Sequence, residues 1–291
     1  MSIGNAIFQG IVQGLTEFLP VSSSGHLSLI QYFTGQGAEQ GVLFTVMLHL
    51  GTLLAVLLAF WGTIWDLIKE FFALLRDIFT GKFTVKAVDG KRRMIFLLFV
   101  ACLPLLITVL FKDWFESLAT DQSILAEGIC FLITSALLFL SDKCVKGRKN
   151  AATMQYRDAV AIGITQAIAP LPGVSRSGST IAMGLLAGLE RKYAVAFSFI
   201  LGVPAVLGAN LLEIGKIAEE GLTIPIPALL AGMLCSLIFG ILAIRLVRWL
   251  VVSDRFVWFA WYTLVLGIVV IAAAVFENMT GHLLQKIIMG T

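Results

Sequence analysis

Six stretches of this chain are long enough and apolar enough to cross a bilayer as helices, and no other feature constrains the fold as much. They run over about 41–61, 94–111, 123–141, 193–212, 226–247 and 256–276. In hydrocarbon every backbone N–H and C=O must be satisfied within the protein, which leaves helices or a closed barrel; runs of this length read as helices. Composition agrees: of 291 residues 58% are hydrophobic and 13% charged, about half the charge of a soluble domain. That excludes a soluble enzyme, a disordered chain and a nucleic-acid binder. Cys102, Cys130, Cys144 and Cys235 show no Cys-x-x-Cys spacing and read as packing residues, not as a disulfide framework or zinc site. Residues 1–16 contain no Lys or Arg, so no cleavable signal is expected there.

Local patterns refine the spans. Pro104 lies inside the second one and predicts a kink. Trp61, Trp114, Trp249, Trp258 and Trp261 stand near span ends, as interfacial anchors do. From Trp65 to Phe79, polar residues recur at helical spacing against apolar ones, which predicts a helix lying in the membrane surface.

Two further apolar regions, about 3–33 and 158–189, are interrupted by Leu19-Pro20-Val21-Ser22-Ser23-Ser24-Gly25 and by Pro170-Leu171-Pro172-Gly173-Val174-Ser175-Arg176-Ser177-Gly178. Each is either a broken span or a re-entrant helical hairpin. Charge decides. With six spans and two hairpins, the loops 62–93, 141–158, 190–192 and 245–255 share one side and hold 17 of the 21 basic residues. Lys112, Lys216 and Lys286 fall on the other side, and Arg176 lies in a hairpin. The positive-inside rule favours this arrangement, with the basic loops cytoplasmic and both termini outside.

The two interrupted regions repeat one another. Residues 10–25 align with 163–178 at an offset of 153 without a gap, and seven of sixteen positions are identical. The expected fold is therefore all-α and integral to the membrane, an inverted-topology repeat. Each half has one re-entrant helical hairpin and three transmembrane helices. The halves are 1–150 and 151–291, with hairpins 3–33 and 158–189. Three spans per half turn the second half upside down, a plan in which broken helices meet near the midplane and build the site.

The chemistry-bearing residues gather at the two tips. Glu17, His26 and Arg176 are the ionisable groups there, amid Thr16, Ser22, Ser23, Ser24, Ser175, Ser177, Ser179 and Thr180. A charge at membrane depth costs roughly 2.5–3.5 kcal/mol, so the charged groups must pair or work. An ion pair alone leaves so many hydroxyls unexplained. Gln13 and Glu17 share one face of the incoming helix, and Ser23 and His26 one face of the returning helix. Helix N-termini attract anions, and a guanidinium grips a phosphate bidentately. Carboxylate, hydroxyl, imidazole and arginine together read as phosphoryl transfer. His49 reads as a core histidine and Asn210 as a bridge between helices.

Gln13-Gly14-Leu15-Thr16-Glu17-Phe18-Leu19-Pro20-Val21-Ser22-Ser23-Ser24-Gly25-His26 resembles the first signature of the undecaprenyl-diphosphate phosphatase family linked to bacitracin resistance. Pro172-Gly173-Val174-Ser175-Arg176-Ser177-Gly178-Ser179-Thr180 is similar to the second. The resemblance implies removal of the terminal phosphate of a C55 polyprenyl diphosphate outside the bacterial inner membrane, with a divalent cation, Mg²⁺ or Ca²⁺. That reaction recycles the lipid carrier of cell-wall synthesis. It implies Glu17 as essential acid and metal ligand, Ser23 as attacking hydroxyl, and His26 as acid/base or rival nucleophile. Arg176 would hold the diphosphate, helped by Ser175, Ser177 and Thr180, with Gln13, Thr16, Ser22 and Ser24 also on the substrate. The family's acidic motif opens on Glu or Gln and here has Gln13, which supplies no second charge to a metal. Expected partners are the lipid diphosphate and the membrane, without nucleic acid; a homodimer is left open. The competing reading is an ion-coupled transporter or lipid flippase, which needs no nucleophile.

Overall fold

A computed structural model describes residues 1–34, 42–82, 90–111, 123–220 and 224–289. Among them every regular element is a helix. Helix α1 covers Ile3–Phe18; its first turn is capped by the Ser2 hydroxyl, which accepts from the Asn5 amide at 3.2 Å. It ends where Leu19, the residue before Pro20, turns extended, as pre-proline sterics require. Helix α2 returns over Ser23–Thr34, α3 spans Val42–Ala59 and α4 Trp61–Phe79. Then come α5 (Gly90–Cys102), α6 (Leu105–Leu110) and α7 (Leu125–Asp142). The second hairpin is α8 (Tyr156–Ile168) and α9 (Arg176–Leu186). It is followed by α10 (Arg191–Glu220), α11 (Ile226–Val252), α12 (Val257–Thr280) and α13 (Leu283–Met289).

This is a multi-pass membrane protein. Among the described residues, four helices are long and apolar enough to cross: α7, α10 as far as Glu213, α11 and α12. A fifth appears only if the α3 and α4 pair counts as one broken span, bent by 88°. The expected span 94–111 is divided at Leu103-Pro104 into α5 and α6. Proline there removes a donor and clashes with the preceding turn, so the anticipated kink is a full break. Trp114 and Lys112 lie outside the described residues.

The near-perpendicular α4 carries two apolar faces. Ile64 and Leu74 are buried, whereas Trp61, Trp65, Ile68, Phe72 and Phe79 are exposed. Its polar face is tied down by Arg92, whose Nε reaches Glu70 at 2.5 Å and whose Nη2 reaches Asp77 at 2.8 Å.

The basic loops meet at one end of the bundle. Arg93 donates to the Met154 carbonyl and Arg191 to that of Val251, while Lys146 and Arg191 both pair with Asp254. The ammonium of Lys146 and the guanidinium of Arg191 hold the Asp254 carboxyl below the usual carboxylate range.

Small residues let the hairpins dock closely. A Cβ on Gly14 of α1 would stand 2.6 Å from the Ser236 carbonyl oxygen of α11, and one on Gly163 of α8 would strike the Ala101 carbonyl of α5. Backbones approach this closely in membranes through such small-residue seams. The main core buries Phe18, Phe197, Phe199, Ile200 and Leu201 directly behind the tips, with Phe18 and Phe199 edge to face at 5.3 Å. All four cysteines are free thiols.

Candidate active site

The four hairpin helices are short. At about 1.5 Å per residue they reach about 16 to 24 Å, less than the roughly 30 Å hydrocarbon core. Their turns lock together. The Ser22 hydroxyl accepts from the Gly173 amide at 3.1 Å, and the Ser177 hydroxyl donates to the Leu19 carbonyl at 3.2 Å. Thr134 of α7 clamps the second tip, donating to the Gly173 carbonyl and accepting from the Ser175 amide, both at 3.0 Å. Gly173 has φ +97°, a backbone that side chains rarely adopt, and a Cβ there would also lie 2.7 Å from Cys130 Cβ.

The two tips use one hydrogen-bond pattern. Ser22 accepts from the Gly25 amide and touches the Ser24 hydroxyl at 3.3 Å; Ser175 accepts from the Gly178 amide and touches the Ser177 hydroxyl at 3.3 Å. They differ where chemistry would lie. Ser23 on the first tip faces Arg176 from the second across the Glu17 carboxylate. The Ser23 hydroxyl donates to Glu17 Oε2 at 2.7 Å, Gln13 Nε2 donates to the same oxygen at 3.1 Å, and Arg176 Nη2 donates to Glu17 Oε1. Glu17 is 9% and Gln13 1% exposed, so this is a buried ion pair whose carboxylate also accepts from Ser23 and Gln13. Such pairing is what a buried charge demands.

A cavity of about 690 Å³ opens on this group. Thr16, Glu17, Ser22, Ser23, Ser24, Ser175 and Arg176 line it. Its remaining wall is largely apolar, with Leu105, Leu106, Val206 and Leu212 from α6 and α10. Leu106 and Leu212 are themselves exposed.

Gln13, Ser177, Thr180 and His26 stand behind this lining. Thr180 donates to the Arg176 carbonyl at 2.8 Å and meets the Ser198 hydroxyl at 2.5 Å, so it holds α9 against α10. His26 turns the other way. Its Nδ1–H donates to the Ser22 carbonyl at 2.7 Å, and Nε2 meets the Tyr262 hydroxyl at 2.7 Å. The ring also sits edge-on to Phe131. Because a carbonyl can only accept, Nδ1 carries a proton in this arrangement. His26 thereby fastens the carbonyl of Ser22, which has φ +69°.

Three polar residues join the cavity that sequence reasoning assigned elsewhere or passed over. His49, read as a core histidine, lines it within electrostatic reach of Glu17. Asn210, read as a helix bridge, lines it with Nδ2 lacking a hydrogen-bond partner. Gln166, which the repeat offset of 153 aligns with Gln13, lines the cavity with both amide atoms unpartnered.

Residues 6–269 match the family model described as bacitracin resistance protein BacA. The chain belongs to the BacA family. It is 38% identical to a protein named undecaprenyl-diphosphatase from Alkaliphilus metalliredigens over 273 residues, covering 93% of this chain and 98% of that one. A protein of the same name from Methanosphaera stadtmanae is 40% identical over 280 residues, covering 94% and 99%. A third, from Rubrobacter xylanophilus, is 41% identical over 272 residues, covering 92% and 96%. The BacA match covers both tips.

Proposed function

We propose that this chain is an undecaprenyl-diphosphate phosphatase, converting undecaprenyl diphosphate and water to undecaprenyl phosphate and phosphate. Family membership and the names of the relatives support the substrate and reaction. The observation that carries the chemistry is the Ser23 hydroxyl bonded to a buried Glu17 carboxylate with Arg176 beside it. A transporter or flippase is not favoured, because it has no use for a hydroxyl aligned on a base.

In the mechanism, Glu17 takes the Ser23 proton as the Ser23 oxygen attacks the terminal phosphorus. The anhydride P–O bond breaks and the lipid monophosphate leaves with the bridging oxygen. Glu17 passes the Ser23 proton to the departing monophosphate; it then takes a proton from the attacking water and returns one to the Ser23 oxygen as phosphate leaves. Arg176 grips the equatorial oxygens, aided by the first amides of α2 and α9. His26 acts on Ser23 through the Ser22 carbonyl, as a positioning residue. Ser177 and Thr180 serve by fixing Arg176 and the first tip.

Glu17 and Arg176 neutralise one another, so the strongly anionic diphosphate needs further positive charge. A divalent cation at Glu17, with the Ser23 hydroxyl oxygen beside it, would find one protein carboxylate there, so lipid phosphates and water would supply most of its ligands. Mg²⁺ or Ca²⁺ held there would supply charge stabilisation of the phosphoryl group, the lipid phosphates providing further ligands. The apolar wall of α6 and α10, with Leu106 and Leu212 exposed on it, suits a prenyl tail.

The fold is read as an inverted repeat, 1–150 and 151–291, each half a re-entrant hairpin and three membrane segments. The matching tip hydrogen bonds support this, as does the exchange in which α1 packs on α11 of the other half and α8 on α5. Clustering of the basic loops at one end supports an inner-membrane protein with that end cytoplasmic and the first hairpin, hence the chemistry, opening to the periplasm or exterior.

The test is product analysis. Purified chain in vesicles containing undecaprenyl diphosphate and Mg²⁺ or Ca²⁺ should release one phosphate per lipid and leave the monophosphate. Transbilayer movement of intact diphosphate without phosphate release would replace this reading with the carrier.

A further inference from the structure

Gln166 and Asn210 are the unexplained groups of the cavity. Gln166, on α8 one turn before the second tip, is 1% exposed, and neither Nε2 nor Oε1 has a hydrogen-bond partner. Asn210, on α10, is 8% exposed with Nδ2 unpartnered. Both line the cavity with Glu17, Ser23 and Arg176. A buried amide without a partner destabilises the fold, and membrane burial removes the option of bulk water. Two such residues on different helices, bordering one cavity, indicate a ligand that completes their bonds.

The counterpart in the repeat sharpens the assignment. Gln13 occupies the matching position on α1, and its amide is used within the protein, donating to Glu17. The second hairpin has Pro170 where the first has Glu17, so Gln166 has no carboxylate one turn on to receive its N–H. An anionic oxygen delivered from outside would take that role.

We propose that Gln166 and Asn210 are substrate contacts that donate their amide N–H groups to phosphate oxygens of the lipid diphosphate, with Gln166 Oε1 accepting from a phosphate hydroxyl or an ordered water. The inference rests on the phosphatase reading and adds two residues to its binding set. They complement Arg176: neutral donors bind the anion without adding charge that Glu17 would compete for.

The test uses full-length chain in vesicles, comparing wild type with Gln166→Met, Gln166→Glu and Asn210→Leu. KM and kcat for a prenyl diphosphate, Ki for its non-hydrolysable methylene-bridged diphosphonate, and the thermal midpoint are measured together. Loss of one hydrogen bond to a charged group should raise KM and Ki about tenfold or more, and Gln166→Glu should exceed Gln166→Met because its carboxylate repels the phosphate. The thermal midpoint of Gln166→Met should hold or rise, since an unpaired amide has been removed. KM and Ki within twofold of wild type in both Gln166→Met and Asn210→Leu would overturn the proposal. So would a lowered midpoint with unchanged Ki, which marks a structural role. An inactive wild type would instead fail the phosphatase reading itself, a result visible before any variant is compared.

Discussion

Gly202 on α10 is a direct probe of the Glu17–Arg176 pair. A Cβ built at Gly202 would collide with Arg176 Nη1 and lie 2.9 Å from Cζ and 3.4 Å from Nη2. Carbon contacts settle at about 3.5 Å or more, so Gly202→Ala must drive the guanidinium back by at least about half an ångström at Cζ, and further at Nη1. The side chain has little freedom to comply, being 16% exposed and bound to Glu17. Two stability effects oppose each other. Overpacking costs about 1–3 kcal/mol, whereas Ala in place of Gly inside a helix returns about 1 kcal/mol. The net destabilisation is about 0–2 kcal/mol, which leaves the protein folded. Catalysis has no such offset: a group misplaced by about 1 Å can lower the rate about 10²-fold, equivalent to about 2.7 kcal/mol. Phosphate release in vesicles and the thermal midpoint in the same preparation separate the two effects. Gly4→Ala is the matched control, since nothing lies within 4 Å of its added methyl. Wild-type kcat/KM in Gly202→Ala would refute the claim that the guanidinium position governs the reaction.

Tyr262→Phe removes one hydrogen bond from His26 and nothing from the cavity; stability should fall by about 0.5–1.5 kcal/mol, and phosphate release by no more than about tenfold. A complete loss would move His26 and Tyr262 into direct contact with substrate. Chelation of divalent cations should stop turnover and re-addition of Mg²⁺ or Ca²⁺ restore it; full activity in excess chelator would exclude a metal requirement. Asp254 is held below its ordinary pKa by Lys146 and Arg191. It therefore stabilises the fold above the unfolded carboxyl pKa and loses that contribution as pH falls through the lower folded value. Because Asp254 is largely exposed, Asp254→Asn should destabilise by no more than about 1 kcal/mol at neutral pH, with the gap closing in acid. A gap that widens toward acid in thermal melts would contradict the assignment.

The parts of the fold legible in the sequence are those written in local covalent chemistry. Pro20 follows the end of α1, and Pro170 and Pro172 lie between α8 and α9, so both tips appear where the motifs put them. Glu17, Ser23 and Arg176 come together because two gap-free repeats impose matched tips. What escaped depends on which side of a helix faces which neighbour. His49, Gln166 and Asn210 sit in helices whose weak apolar periodicity does not distinguish a cavity face from a core face. One signal was present: Gln166 repeats Gln13, and a carboxamide retained at that site while its acidic partner becomes Pro170 needs a reason. The contact between His26 and Tyr262 joins residues 236 positions apart, beyond any local pattern. The break at Pro104 was visible as a residue but not in degree, because neighbouring helices decide whether a proline bends a span or divides it.

The most direct test compares phosphate release from undecaprenyl diphosphate by Ser23→Ala and Arg176→Ala with that of wild type, all at equal folded concentration. If the two tips form one phosphoryl-transfer site, wild type turns over and both variants fall by about 10²-fold or more. Wild-type rates in both variants would contradict it.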